Sequence, residues 1–124
     1  MSTGTSLPIK ATARQLSNNA WKARNPIRCE FSYIRSRALK KGRKFELTLE
    51  DFEELYAPMR CAVTGHPLSW EWSGPGKRNP WKPSLDQIKP GEGYTRDNVR
   101  VVSYIYNLVK LDWDDEVVAE FRNG

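Results

Sequence analysis

The sequence predicts an α+β fold in which helices flank a very small sheet. Three observations carry this expectation. Residues 83–110 pass from two short β-type runs into a helical run. Ahead of them, Ile27, Phe31, Ile34 and Ala38 recur at i, i+4, i+7 and i+11 as one helical stripe. Gly/Pro clusters at 73–82 and 89–93 punctuate the chain as loops. A length of 124 residues suits one domain with some mass left for tails. The expected division is a flexible basic arm over 1–24 and one domain over 25–124. Within the domain, 25–58 is helical, 60–72 a hairpin, 83–110 a compact central unit and 112–122 a C-terminal helix.

In chain order, the first nineteen residues are rich in Ser, Thr and Asn without a clear period and read as loosely attached. Trp21 is the exception, an apolar side chain expected to dock on the body or on a ligand. Asn25-Pro26 starts a helix, because a first-turn proline has no hydrogen bond to lose. Gly42 ends that helix. Phe45-Glu46-Leu47 reads as short and extended. Thr48 then caps a second helix, with Asp51 as the reciprocal capping residue, Phe52, Leu55 and Tyr56 facing inward, and Pro58 as the stop.

Residues 60–72 read as a hairpin turning at Thr64-Gly65-His66 and held by Val63, Leu68, Trp70 and Trp72. Cys61 suits a small buried position, and His66 a solvent-facing turn. Ser84 to Ile88 alternates as a half-buried strand, Lys89 to Gly93 breaks it, and Val99 to Val102 is a β-branched second strand. From Ser103 the period becomes helical, with Ile105, Leu108 and Val109 on one side. The last helix has acids in its first turn, where the helix dipole favours them, and Val117, Val118 and Phe121 as its inner face.

Charge is distributed unevenly. Residues 1–44 hold eleven Lys or Arg against one acid, a local +10, while the remaining nine bases and fourteen acids give −5. Such asymmetry predicts a polyanion as partner of the N-terminal third. No apolar run is long enough for a membrane span, and the start lacks the apolar core of a signal peptide. Two cysteines and one histidine do not supply a four-ligand structural zinc. A reducing, cytoplasmic setting without a small-molecule cofactor is therefore expected.

The segment SLDQIKPGEGYTRDNVRVVSYIYNLVK resembles the HNH (His-Me finger, ββα-metal) nucleases, especially small phage-type members with SLDRI…GYT…NVR…N…K. The resemblance covers residues 61–110 and implies a ββα-metal core, one divalent metal (Mg²⁺ or Mn²⁺), hydrolysis or nicking of duplex DNA, and a host cytoplasm if phage-encoded. Carried over by position, Asp86 and Asn107 are the metal ligands and Asn98 the loop residue that orients the base. The base position falls on Gln87, whose amide cannot accept a proton at neutral pH, so the resemblance implies either a nuclease working without that base or a catalytically weak or inactive DNA-binding or regulatory protein on the same frame. Nucleic-acid contacts are expected from Arg28, Arg35, Arg37, Lys40 and Lys41 on the first helix. Lys77, Arg78 and Trp81 in the Gly/Pro loop, and Arg96, Arg100 and Lys110 around the central unit, complete that set.

Overall fold

The computed structural model describes residues 13–76 and 78–123. They form α1 (Ala13–Arg24), α2 (Pro26–Lys40), α3 (Leu49–Tyr56), β1 (Pro83–Gln87), a 3₁₀ turn at Arg96–Asn98, β2 (Val99–Ser103), α4 (Tyr104–Lys110) and α5 (Asp115–Asn123). β1 and β2 pair antiparallel, setting Leu85 opposite Val101 and Asp86 opposite Arg100. The class is α+β, with helices around one two-stranded sheet.

Two strands are marginal alone, so the sheet depends on what packs against it. Leu85, Val99, Val101 and Val102 join Leu47, Phe52, Tyr56, Cys61 and Leu68 in one core. An aromatic column runs through it. Phe31 of α2 meets Phe52 of α3 edge-on at 5.1 Å, Phe52 stacks on Tyr56 at 5.6 Å, and Tyr56 on Trp70 at 6.0 Å. Each such pair contributes about 0.5–1.5 kcal/mol beyond area burial.

Local chemistry sets the helix ends. Pro26 opens α2, and the Asn25 side chain donates to Trp21 O at 2.8 Å, joining the end of α1 to the start of α2. Gly42 (φ 66°) closes α2: its N–H reaches Leu39 O and that of Arg43 reaches Ala38 O, the paired bonds of a Schellman motif. α3 carries a complete capping box between Thr48 and Asp51.

Four expectations need correction. Residues 13–24, expected in a flexible arm, form α1; its Ala, Arg, Leu, Gln and Lys residues are good helix formers without an apolar stripe. Residues 1–12, Lys10 among them, and Lys77 lie outside the described residues. The hairpin over 60–72 is only a tight reversal with one bridge, Arg60 to Pro67, flanked by Cys61 N to His66 O and Leu68 N to Met59 O; it goes no further because Met59, at φ 51°, turns its own N–H back to Tyr56 O. Trp72 is exposed, and Ser69 N bonds Trp81 O instead. On α4 the expected inner face is turned outward: Ile105, Leu108 and Val109 are exposed, while Lys110 is buried. On α5 only Val118 is buried, and Val117 and Phe121 face solvent, Phe121 79% exposed.

The loop from β1 to β2 docks on the segment after α2. Tyr94 N donates to Lys44 O and Glu46 N to Tyr94 O, both at 2.9 Å. This approach requires Gly93, whose φ is +97° and whose added Cβ would stand 2.8 Å from Lys44 Cβ. Gly91 has a similar φ of +88° with open space around it. Gly91→Ala is therefore expected to lose only the left-handed backbone penalty, about 1–2 kcal/mol. Gly93→Ala should lose that and the clash. Urea midpoints for both variants check the order, and equal losses would show that the loop does not press on Lys44.

Candidate functional site

β1 and β2 hold Asp86 and Arg100 opposite each other, and directly opposed side chains on an antiparallel pair share a face. Arg100 Nε donates to Asp86 Oδ2 at 2.9 Å, and its Nη2 donates to Asp115 Oδ1 at 2.7 Å. Asp115 also accepts from the Tyr106 hydroxyl at 2.8 Å. From α4, the Lys110 ammonium donates to Asp86 Oδ1 and Oδ2 at 3.0 and 3.1 Å, to Gln87 O at 2.6 Å and to Ile88 O at 3.2 Å. Lys110 is 0% exposed and Asp86 3%. Two acids and two bases thus close an electrically balanced cluster spanning β1, β2, α4 and the start of α5.

The titration directions follow from this wiring. Burial works against the Arg100 charge, yet the bonds to Asp115 and Asp86 hold its pKa above the ordinary range. Arg100 in turn holds the Asp115 carboxyl below its usual 3.8. Burial, then the bond to Asp115, pushes the Tyr106 hydroxyl up to about 12.

The other expected catalytic residues brace the loop. Gln87 Oε1 accepts from Gly93 N at 2.9 Å. Asn98 Oδ1 accepts from Lys89 N at 2.9 Å, while its amide N donates to Lys89 O at 3.1 Å and to Gly93 O at 2.9 Å. Asn107 Nδ2 donates to Ser84 Oγ at 2.8 Å and to Leu85 O at 3.2 Å. A main-chain carbonyl only accepts, so the nitrogen of the Asn107 amide is the atom that faces β1.

A hard divalent cation requires free oxygen ligands. Both Asp86 oxygens already take N–H donors from Lys110 and Arg100, and Asn107 turns its nitrogen to the strand. A further +2 would leave a balanced cluster uncompensated, where burial of an unpaired charge costs several kcal/mol. The arrangement does not fit a resident metal at Asp86 and Asn107. Among the described residues no group of three or more His, Cys, Asp or Glu could hold one elsewhere.

The expected nucleic-acid contacts divide into two sets. Arg28, Arg35, Arg37, Lys40, Lys41 and Arg78 are exposed. Lys110 is enclosed, Arg100 is committed to Asp86 and Asp115, and Arg96 bonds Asp51 at 3.0 Å and Glu54 at 2.7 Å, tying the 3₁₀ turn to α3. Lys110 and Arg100 are corrections, since their donors are turned to the cluster, whereas Arg96 is exposed and bonds the two carboxylates through Nη1 alone. Trp81 stacks on His66, with ring centroids 3.9 Å apart and planes at 13°. His66 is exposed and bonds Pro67 O through Nδ1, and among the described residues it makes no hydrogen bond to the Asp86 cluster.

Sequence reasoning missed the His66–Trp81 pair and a cleft of about 970 Å³ between α1–α2 and β1–α4, lined by Trp21, Tyr33, Arg37, Lys82, Tyr104 and Asn107 among others. Only the isolated Trp21 signalled the cleft. No family model, curated protein or solved structure matches the chain.

Lys110→Met is expected to strand Asp86 and lower stability by about 3–5 kcal/mol, and Asp86→Leu added to it should restore most of the loss. Urea unfolding of both variants checks this. Asp115 is depressed by Arg100, and Asp51 by the Thr48 backbone N–H. A depressed folded pKa gives stability that is full above the unfolded value and lost as pH falls through the folded one. Stability should therefore fall below about pH 4, and Asp115→Asn should flatten that limb of the urea-midpoint profile.

Proposed function

We propose that the chain is a DNA-binding protein on an HNH-type frame in which the catalytic machinery has been converted to structural use. One observation carries the binding reading. Arg28, Arg35, Lys40 and Lys41 are exposed on and just after α2, and among the described residues none has a carboxylate within ion-pair distance. Elsewhere, bases with acids in reach are paired, as Lys82 is with Glu30 at 3.2 Å. Surplus exposed charge of one sign suits phosphate contact and counterion release. Support for the frame comes from the order β1, loop, β2, α4, with Asp86, Gln87, Asn98 and Asn107 at the corresponding positions. The structural employment of those four side chains favours binding without hydrolysis.

Metal-dependent hydrolysis is the second reading, favoured by the co-location of those four residues in one unit. A supercoiled-plasmid time course with Mn²⁺, with EDTA and with Asp86→Asn separates the two. The binding reading expects a gel shift with no EDTA-sensitive nicking. Nicking by the wild type that EDTA and Asp86→Asn both abolish would establish the nuclease. For the binding face, replacing Arg28, Arg35, Lys40 and Lys41 together by Ala should reduce the slope of log K against log salt by about 3.6, at roughly 0.9 per phosphate contact. An unchanged slope would remove α2 from the interface.

A further inference from the structure

Resting on the binding reading, we infer that the cleft between α1–α2 and β1–α4 is a second nucleic-acid site, one that takes unpaired nucleotides. Its walls combine the two chemistries a single strand needs. Trp21 (43% exposed) and Tyr33 (59% exposed) offer open aromatic faces, although a large aromatic without a partner ordinarily turns inward. Tyr104 lies on the opposite wall.

Cations accompany the rings. Arg37 lies over the Tyr33 ring at 5.5 Å and donates to its hydroxyl at 3.3 Å, so guanidinium and ring form one platform. Lys22 stands on the same cleft, and so does Lys82, paired there with Glu30, which leaves Arg37 and Lys22 as its surplus positive charge. Asn107 also lines the cleft; its amide spends its nitrogen on Ser84 and Leu85, and among the described residues its Oδ1 has no partner. That oxygen is an acceptor for a base N–H, the N3–H of thymine included.

Shape selects the strand state. The volume of about 970 Å³ lies at the upper end of ligand clefts, roughly 300–1,000 Å³, enough for more than one nucleotide. A duplex hides its base faces inside the stack and presents only backbone and groove edges. Aromatic faces in a concave, cationic cleft reward bases already unstacked. Arg28 and Arg35, by contrast, do not line the cleft, so duplex and single strand meet different residues of α2.

The test uses the full chain, a ten-nucleotide oligothymidylate and a duplex of mixed sequence, read by fluorescence anisotropy and by quenching of tryptophan emission. Trp21→Ala and Tyr33→Ala replace exposed side chains outside the core. Each is expected to weaken oligothymidylate binding about tenfold or more, from lost base stacking, while duplex affinity stays within a factor of two or so of wild type. Arg28→Ala with Arg35→Ala should do the reverse. The inference is overturned if oligothymidylate binding survives both aromatic substitutions and falls with the arginine pair, an outcome that leaves the duplex-binding reading standing. Failure of the wild type to bind either nucleic acid would overturn both.

Discussion

The buried Asp86 carboxylate is the constraint around which the C-terminal half is arranged. A charge at that depth must be matched, and three hydrogen bonds from two cations match it, Arg100 from the neighbouring strand and Lys110 from the following helix. Arg100 passes the compensation on to Asp115, and so fixes where α5 begins. The same ammonium bonds the carbonyls of Gln87 and Ile88, closing the strand end where the loop departs. Sheet, α4 and α5 are thus joined through this polar cluster.

That constraint explains where apolar periodicity misled. Ile105, Leu108 and Val109 fall on one side of α4, and the pattern alone turns them inward. Ser103 caps the helix by accepting from Tyr106 N, and Lys110 must reach Asp86, so the helix phase is set at both ends by polar bonds. The apolar side is left on the surface beside Leu111, Trp113, Val117 and Phe121. Where local chemistry alone decided the outcome, the sequence was legible: the first-turn proline of α2, the Thr48–Asp51 box of α3, and the β-branched run of β2 all stand as expected. The reversal at 60–72 was legible as a turn and not as a ladder, since Met59 turns its N–H back to Tyr56 O and ends the pairing. α1 was hidden because helix propensity without a stripe leaves no period to read.

The candidate site was legible in part. Its residues could be picked out one by one, but not their bonding. Asp86, Gln87, Asn98 and Asn107 do belong to one unit, yet their partners are Lys110, Gly93, Lys89 and Ser84, which no spacing rule singles out. Arg100 could be paired with Asp86 once two strands and a register were assumed, since opposite charges across a ladder attract. The exposed bases of α2 were readable from composition. The cleft beside them was not, because it is assembled from α1, α2, β1 and α4, and only the fold brings those four together.

The ammonium of Lys110 is the cation of this site. Nuclear magnetic resonance of the ¹⁵N-labelled protein, titrated with Mn²⁺, tests it most directly. A buried, fully bonded ammonium should give a slowly exchanging Lys110 Nζ resonance that persists through the titration. Amide signals of Ser84, Asp86 and Asn107 should broaden no more than those of surface carboxylates. Loss of the Lys110 signal with selective broadening at Asp86 and Asn107 at low Mn²⁺ would contradict the account, since it would mean that a metal displaces the lysine.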